Sequence, residues 1–335
     1  MGIASADDTL ATDVAPELAF QHIAACVNGS AASELVIPHA VAIARAFGGR
    51  VTVLRVVECG TMGDAPTDPL EWDIRRREAR EHVEQVVRES GADVPIAADV
   101  LESHAADEIR LWVERHQVDL MVLCRYDPPD SAEWPLAQLL DQMPGSVLIV
   151  RGPVATHTLV GRYRRLLVPV DGSPRAESVL PLAARVAASA AAELLIAHVV
   201  PHPGLTEVGP PDAEDAELQE RVTQRNMRVA TAYLDRLRAR FATSGSPTRM
   251  IVVQDGDVRT RLERLVEDEA VDLVVLSSHG QSGRTSVPYG SVTADLVFQS
   301  PVPLLIVRPR ATRVRAPVTM AKAAMTGRLP HQAAS

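Results

Sequence analysis

Aromatic residues make up 3% of the 335 positions, too few for a core built around large rings. Lysine is scarcer still. Lys322 is the only one, so a phosphate loop that depends on a lysine ammonium is excluded from the body of the chain. The other basic residues are arginines spread through every segment. With 34 basic against 43 acidic side chains the formal charge is −9, which lacks the basic stripe that nucleic-acid binding requires. Three cysteines, Cys26, Cys59 and Cys124, show no metal-ligand spacing. Cys26 and Cys124 lie in apolar runs and read as buried structural thiols. No uninterrupted apolar run reaches about 18 residues, and no N-terminal segment joins a basic start to a long apolar stretch. The chain therefore reads as cytoplasmic, with no membrane or nucleic-acid partner.

Small aliphatic residues fill the gap. Hydrophobic residues are 46% of the chain, chiefly Ala, Val and Leu, which suits interiors of parallel α/β sheets. The length is comfortable for two domains of about 150 residues. Internal repetition supports that division. Ala24-Ala25-Cys26-Val27-Asn28-Gly29-Ser30 lies over Leu167-Val168-Pro169-Val170-Asp171-Gly172-Ser173, and the register holds for Glu34 over Glu177 and Pro38 over Pro181. Val118-Asp119-Leu120 returns as Val271-Asp272-Leu273, and each copy closes on a short apolar strand ending in Arg151 or Arg308. The chain is a duplication.

Within each copy, apolar runs alternate with helical periodicity. The second copy reads as strands at 166–171, 193–200, 248–254, 273–278 and 302–308, separated by helices at 176–190, 214–242, 258–270 and 291–299. Strands apolar at consecutive positions are buried on both faces, so the expected fold is two repeated doubly wound parallel-sheet α/β domains of Rossmann-like kind. The expected boundaries are 16–152 and 163–310, with 152–162 as linker and 311–335 as a basic tail.

In such a sheet, ligands bind beyond the carboxyl ends of strands where the strand order reverses. Two strand ends in the second copy collect polar and glycine residues: Asp171-Gly172-Ser173 after the first, and Ser277-Ser278-His279-Gly280-Gln281-Ser282-Gly283-Arg284 after the fourth, leading to Gly290-Ser291-Val292. Gly280 and Gly283 let backbone amides approach phosphate oxygens. Gly290 and Ser291 begin the last helix, whose free N–H groups attract anions. Asp171 suits a ribose hydroxyl or an adenine amine, and His279 and Arg284 offer further donors. Taken singly, each of these segments is more often only a loop or a helix cap.

As a set they are more specific. The second copy resembles the ATP-binding branch of the universal stress protein family, whose signature G-x2-G-x9-G-[ST] appears here as Ser277-x2-Gly280-x9-Gly290-Ser291. The likeness extends to Pro169-Val170-Asp171, His198-Val199, Gly256 and the closing Pro301 to Val307. The resemblance implies an adenine-nucleotide-binding domain that takes ATP, with Mg2+ carried by the triphosphate. Pro169, Val170, Asp171 and Val199 would meet the adenosine, Ser277 the ribose, and Gly280, Gly283, Arg284, Gly290, Ser291 and Val292 would surround the phosphates. Ser277 replaces the family's glycine, which implies weaker or displaced binding. The first copy departs further. Asn28 replaces Asp171, and Cys124 to Pro135 carries prolines with Asp127, Asp130 and Glu133 in place of the glycine loop, so no ATP is expected there.

No Walker-type loop and no nucleophile paired with a base are present. Three functions stay open: a nucleotide-dependent regulator in the stress response, a slow ATPase or adenylating enzyme, and a scaffold that binds nothing. The resemblance also implies that strands 146–151 and 303–308 pair as an internal pseudo-dimer, covering two sheet edges, and that two chains form a homodimer.

Overall fold

The computed structural model describes residues 19–58, 69–103, 106–125, 140, 143–152, 161–204, 213–241, 245–280 and 289–308. The first copy runs β1 (His22–Val27), α1 (Ala31–Glu34), α2 (Val36–Phe47), β2 (Arg50–Glu58), α3 (Pro69–Glu89), β3 (Ile96–Ser103), α4 (Ala106–Arg115), β4 (Leu120–Arg125) and β5 (Ser146–Arg151). The second repeats the order as β6 (Arg165–Pro169), α5 (Pro174–Ser178), α6 (Leu180–Ala190), β7 (Glu193–Pro201), α7 (Ala213–Phe241), β8 (Thr248–Asp255), α8 (Val258–Asp268), β9 (Leu273–Ser277), α9 (Ser291–Gln299) and β10 (Leu304–Val307).

The helix expected at 176–190 is two pieces. It starts at Pro174, capped by the Ser173 hydroxyl, which accepts from the Ala176 amide, and it breaks at Val179. The cause is Pro181 at the opening of α6, whose ring nitrogen cannot donate back to the preceding turn. Pro38 marks the same break between α1 and α2. Cys26 and Cys124, expected to be buried, are each partly exposed near the carboxyl ends of their strands.

All strands form one sheet in the order β3-β2-β1-β4-β5-β10-β9-β6-β7-β8. Pairing is parallel inside each copy and antiparallel at the seam, where Leu304, Leu305 and Ile306 stand opposite Ile149, Leu148 and Val147. The internal pairing read from the sequence is thus present. Both faces of the sheet carry cores that cross the seam. One holds Ala40 and Ala44 of α2 with Leu180 and Ala184 of α6, and the other holds Met143 and Ile149 with Tyr289, Leu296 and Ile306.

Equivalent residues do equivalent work. The Asp119 carboxylate accepts from the amides of Gln21 and His22, each at 2.8 Å. Asp272 accepts from those of Arg164 and Arg165 at 2.7 and 3.0 Å. Each aspartate fixes the start of its copy's first strand against its fourth. The copies also meet through His39, whose Nδ1 lies 2.7 Å from the Tyr163 hydroxyl in a buried contact. Beside it, Gly161 packs so closely on α2 that a Cβ there would lie 2.6 Å from the Pro38 carbonyl oxygen, and its φ of +72° independently disfavours a side chain.

Candidate functional site

β6 pairs with β7 on one side and β9 on the other. The chain leaves β6 toward β7 and β8, whereas β9 and β10 lie across it, so the order reverses between β6 and β9. A crevice of about 370 Å³ opens at their carboxyl ends. Of the expected site residues, Pro169, Val170, Asp171, Val199, Ser277, Gly280, Gly290, Ser291 and Val292 all line it. Gly283 and Arg284 lie outside the described residues. His279 does not line the crevice; its Nδ1 lies 3.1 Å from the Ser278 hydroxyl, and its carbonyl accepts from Ser277 Oγ at 2.5 Å.

Each wall has a local cause. β6 ends at Pro169, so Asp171 falls in a turn past the strand, where its Oδ1 accepts from the Ser173 amide at 3.0 Å. The other carboxylate oxygen faces the opposite wall: a Cβ at Gly280 would sit 2.2 Å from Asp171 Oδ2. Only a glycine lets the two strand ends approach this closely. The Gly290 amide donates to the Ser278 carbonyl at 2.9 Å, and Thr293 Oγ1 donates to the Ser277 carbonyl at 3.2 Å, so the start of α9 is tied to the end of β9.

That helix start differs from others in the fold. α1, α5 and α8 are capped by Ser30, Ser173 and Asp257, whose side chains accept from first-turn amides. α9 has Gly290 at its cap and no side-chain cap bond, and its first-turn residues Ser291, Val292 and Thr293 line the crevice. Among the described residues, a Cβ at Gly290 would meet nothing nearer than 3.7 Å. Uncapped amides at the positive end of a helix make a site for an anion. Among the described residues that line the crevice there is no Arg or Lys, so any attraction of an anion by these residues would come from backbone amides.

Other parts of the wall are apolar. Val199, Val258, Leu262, Leu276 and Ala176 contribute to it. The His198 ring, with Nδ1 2.8 Å from the Val170 carbonyl oxygen, holds β7 to the turn after β6. Sequence reasoning missed the contribution of α8. Val258, Leu262 and Leu265 recur at helical spacing, but which apolar residues face the crevice and which the core depends on packing. The arrangement can take a flat apolar ring against the apolar wall, a hydroxyl-bearing group at Asp171 and an anion at α9.

The first copy keeps the turn but, among the described residues, changes what surrounds it. Asn28 Oδ1 accepts from the Ser30 amide at 2.9 Å, as Asp171 does from Ser173. Arg55 stands at the position of His198, and its guanidinium covers the turn: a Cβ on Gly29 would lie 3.0 Å from it. The counterpart Gly172 has nothing within 4 Å. Burial pushes the Arg55 guanidinium below its ordinary pKa. The segment with Asp127, Asp130 and Glu133 lies outside the described residues.

The sequence profile of the universal stress protein family matches residues 19–125 and 162–308. A curated universal stress protein of Methanocaldococcus jannaschii is 23% identical over 155 residues, covering 44% of this chain and 95% of that protein. A crystal structure of a universal stress protein from Archaeoglobus fulgidus aligns with a TM-score of 0.61 at 16% identity, covering 88% of this chain and 98% of that one. One described as a putative universal stress protein from Pseudomonas aeruginosa aligns with a TM-score of 0.54 at 15% identity, covering 88% and 95%. At these identities the solved structures speak to the fold alone.

Proposed function

The chain belongs to the universal stress protein family, and we propose that it binds ATP in its second domain and acts as a nucleotide-dependent regulator in the stress response. The observation that carries this reading is the convergence of Asp171, Gly280 and the glycine-capped start of α9 on one crevice with a partly apolar wall. The adenine lies against Val199, Leu262 and Leu276, the ribose hydroxyls reach Asp171, and the phosphates lie at the amides of Ser291 and Val292. Gly283, Arg284 and Mg2+ would add to the phosphate side. Ser277, whose hydroxyl is engaged by the His279 carbonyl, stands at the wall without filling the crevice. The first copy takes no nucleotide in this reading, because Arg55 covers its turn and Asn28 carries no charge.

Protein purified without added nucleotide is denatured, and the released small molecules are quantified by chromatography. The expected result is close to one equivalent of ATP per chain, lost in Asp171→Asn. Asn is the informative replacement because Asn28 already holds the same turn, so the fold is kept and only the charge goes. More than one equivalent would show that the first copy binds as well. No released nucleotide, together with no heat on titrating ATP and Mg2+, would overturn the proposal and leave the scaffold reading.

A further inference from the structure

The residue immediately before Gly290 belongs structurally to the other copy. Tyr289 is buried in the core that crosses the seam, and its hydroxyl donates to the Leu140 carbonyl of the first copy at 3.2 Å. The Arg308 guanidinium lies 4.4 Å from the centre of the Tyr289 ring, and its Nη1 donates to the Met143 carbonyl at 2.8 Å. At the far end of α9, Arg125 of the first copy is buried and donates from Nη1 to the Val297 carbonyl at 2.5 Å. The helix whose N-terminus lines the crevice is therefore held at both ends by the first copy.

The Arg125 contact is not matched by an arginine in the second copy. Arg125 occupies the position of Ser278 in the repeat, and a serine has no comparable reach. The Ser278 carbonyl accepts from the Gly290 amide, and its hydroxyl lies 3.1 Å from His279 Nδ1, both within the second copy. We infer that the first copy is a positioning platform for the second copy's crevice, and that Tyr289 is the positioning residue through which occupancy of that crevice is passed to the first copy. The inference rests on the nucleotide reading above and adds to it a direction of signal. An anion drawn onto the amides of Ser291 and Val292 acts two and three residues from the Tyr289 ring, within about 11 Å of extended chain. Because such coupling is reciprocal, whatever loosens the Tyr289–Leu140 bond must also weaken the ligand.

The test is hydrogen exchange on the full chain, wild type and Tyr289→Phe, with and without ATP and Mg2+, alongside titration calorimetry. Phenylalanine keeps the ring in the core and removes only the hydroxyl. In the wild type, ATP slows exchange in 289–297 and also in 143–151. In Tyr289→Phe, 289–297 still responds, 143–151 no longer does, and affinity falls about fivefold, the worth of one ordinary hydrogen bond. A purely structural role for the hydroxyl would leave the response of 143–151 in place. An equal response of 143–151 in both proteins, or none in a wild type that binds ATP, overturns the coupling. A wild type that binds no ATP overturns the nucleotide reading instead. The ligand-free samples then decide the platform separately: Tyr289→Phe must speed exchange in 143–151, and an unchanged rate there refutes it.

Discussion

Replacing Gly290 with alanine separates a residue kept for folding from one kept for a ligand. The backbone at Gly290, with φ −66° and ψ 161°, is open to any residue. Among the described residues, an added methyl would come nearest to His279 Cα at 3.7 Å and the Gly280 nitrogen and Ser278 oxygen at 3.8 Å, which is ordinary contact. Alanine is a poorer helix cap than glycine by roughly 0.5 to 1 kcal/mol. It also restricts the unfolded chain, which returns about 0.4 to 1 kcal/mol. The two cancel, so the melting temperature should move by no more than about 3 °C. The ligand has no such compensation, since Gly290 lines the crevice beside the start of α9 and a methyl there takes space from an anion. A loss of at least tenfold in ATP affinity, about 1.4 kcal/mol, is expected from titration calorimetry. Gly290→Ser sharpens the contrast: its hydroxyl can cap α9 and stabilise the fold slightly while still obstructing the anion. Unchanged ATP affinity in Gly290→Ala, or a fall of 8 °C or more in melting temperature, would refute the reasoning.

Three further outcomes concern the frame that holds the site. Burial pushes the His39 imidazole down to about 4. The native state therefore binds fewer protons there than the unfolded chain, and the resulting stability is complete above pH 6.5. It is lost as pH falls toward 4, by roughly 3 kcal/mol in all; urea midpoints at pH 7 and 4.5 should show a smaller drop in His39→Gln than in the wild type. Gly161→Ala combines a φ of +72° with a Cβ 2.6 Å from the Pro38 carbonyl oxygen, and should cost at least about 2 kcal/mol. Gly48→Ala, at φ +64° with nothing within 4 Å, should cost about 1 kcal/mol, and equal urea midpoints for the two would count against the close approach. Asp119→Ala and Asp272→Ala each strip two amides of their acceptor and should cost similar amounts, on the order of 2 to 4 kcal/mol. Chemical denaturation giving a large cost for one and none for the other would contradict their equivalence.

The repeat was legible because Val118-Asp119 and Val271-Asp272 recur as residues, and the doubly wound parallel class followed from two copies of one alternating pattern, whereas the order of the strands came from the structure. The crevice was legible for a related reason. Glycine and aspartate at strand ends are local signals, and Asp171, Gly280 and Gly290 meet where two such ends converge. What escaped the sequence depends on long side chains crossing between segments far apart in the chain. Nothing in the string Leu123-Cys124-Arg125 says that the arginine reaches Val297, 172 residues away. Nor does Arg55 announce that it covers Gly29, since its reach depends on how β2 and the turn after β1 are juxtaposed. The break in the helix after β6 needed only Pro181, a signal present in the sequence that the periodicity alone overrode.

The antiparallel seam between β5 and β10 has an evolutionary corollary. In a dimer of identical subunits, every substitution appears twice, so a change that improves one side of the interface is imposed on the other. Joining the halves in one polypeptide lifts that constraint. Arg125 can arise where its partner keeps Ser278, and Arg55 can close one crevice while His198 leaves the other open. Fusion also makes the encounter of the halves independent of protein concentration, so the pair does not come apart on dilution. Since each half has already spent its β5 or β10 edge on the other, a second chain would have to dock elsewhere.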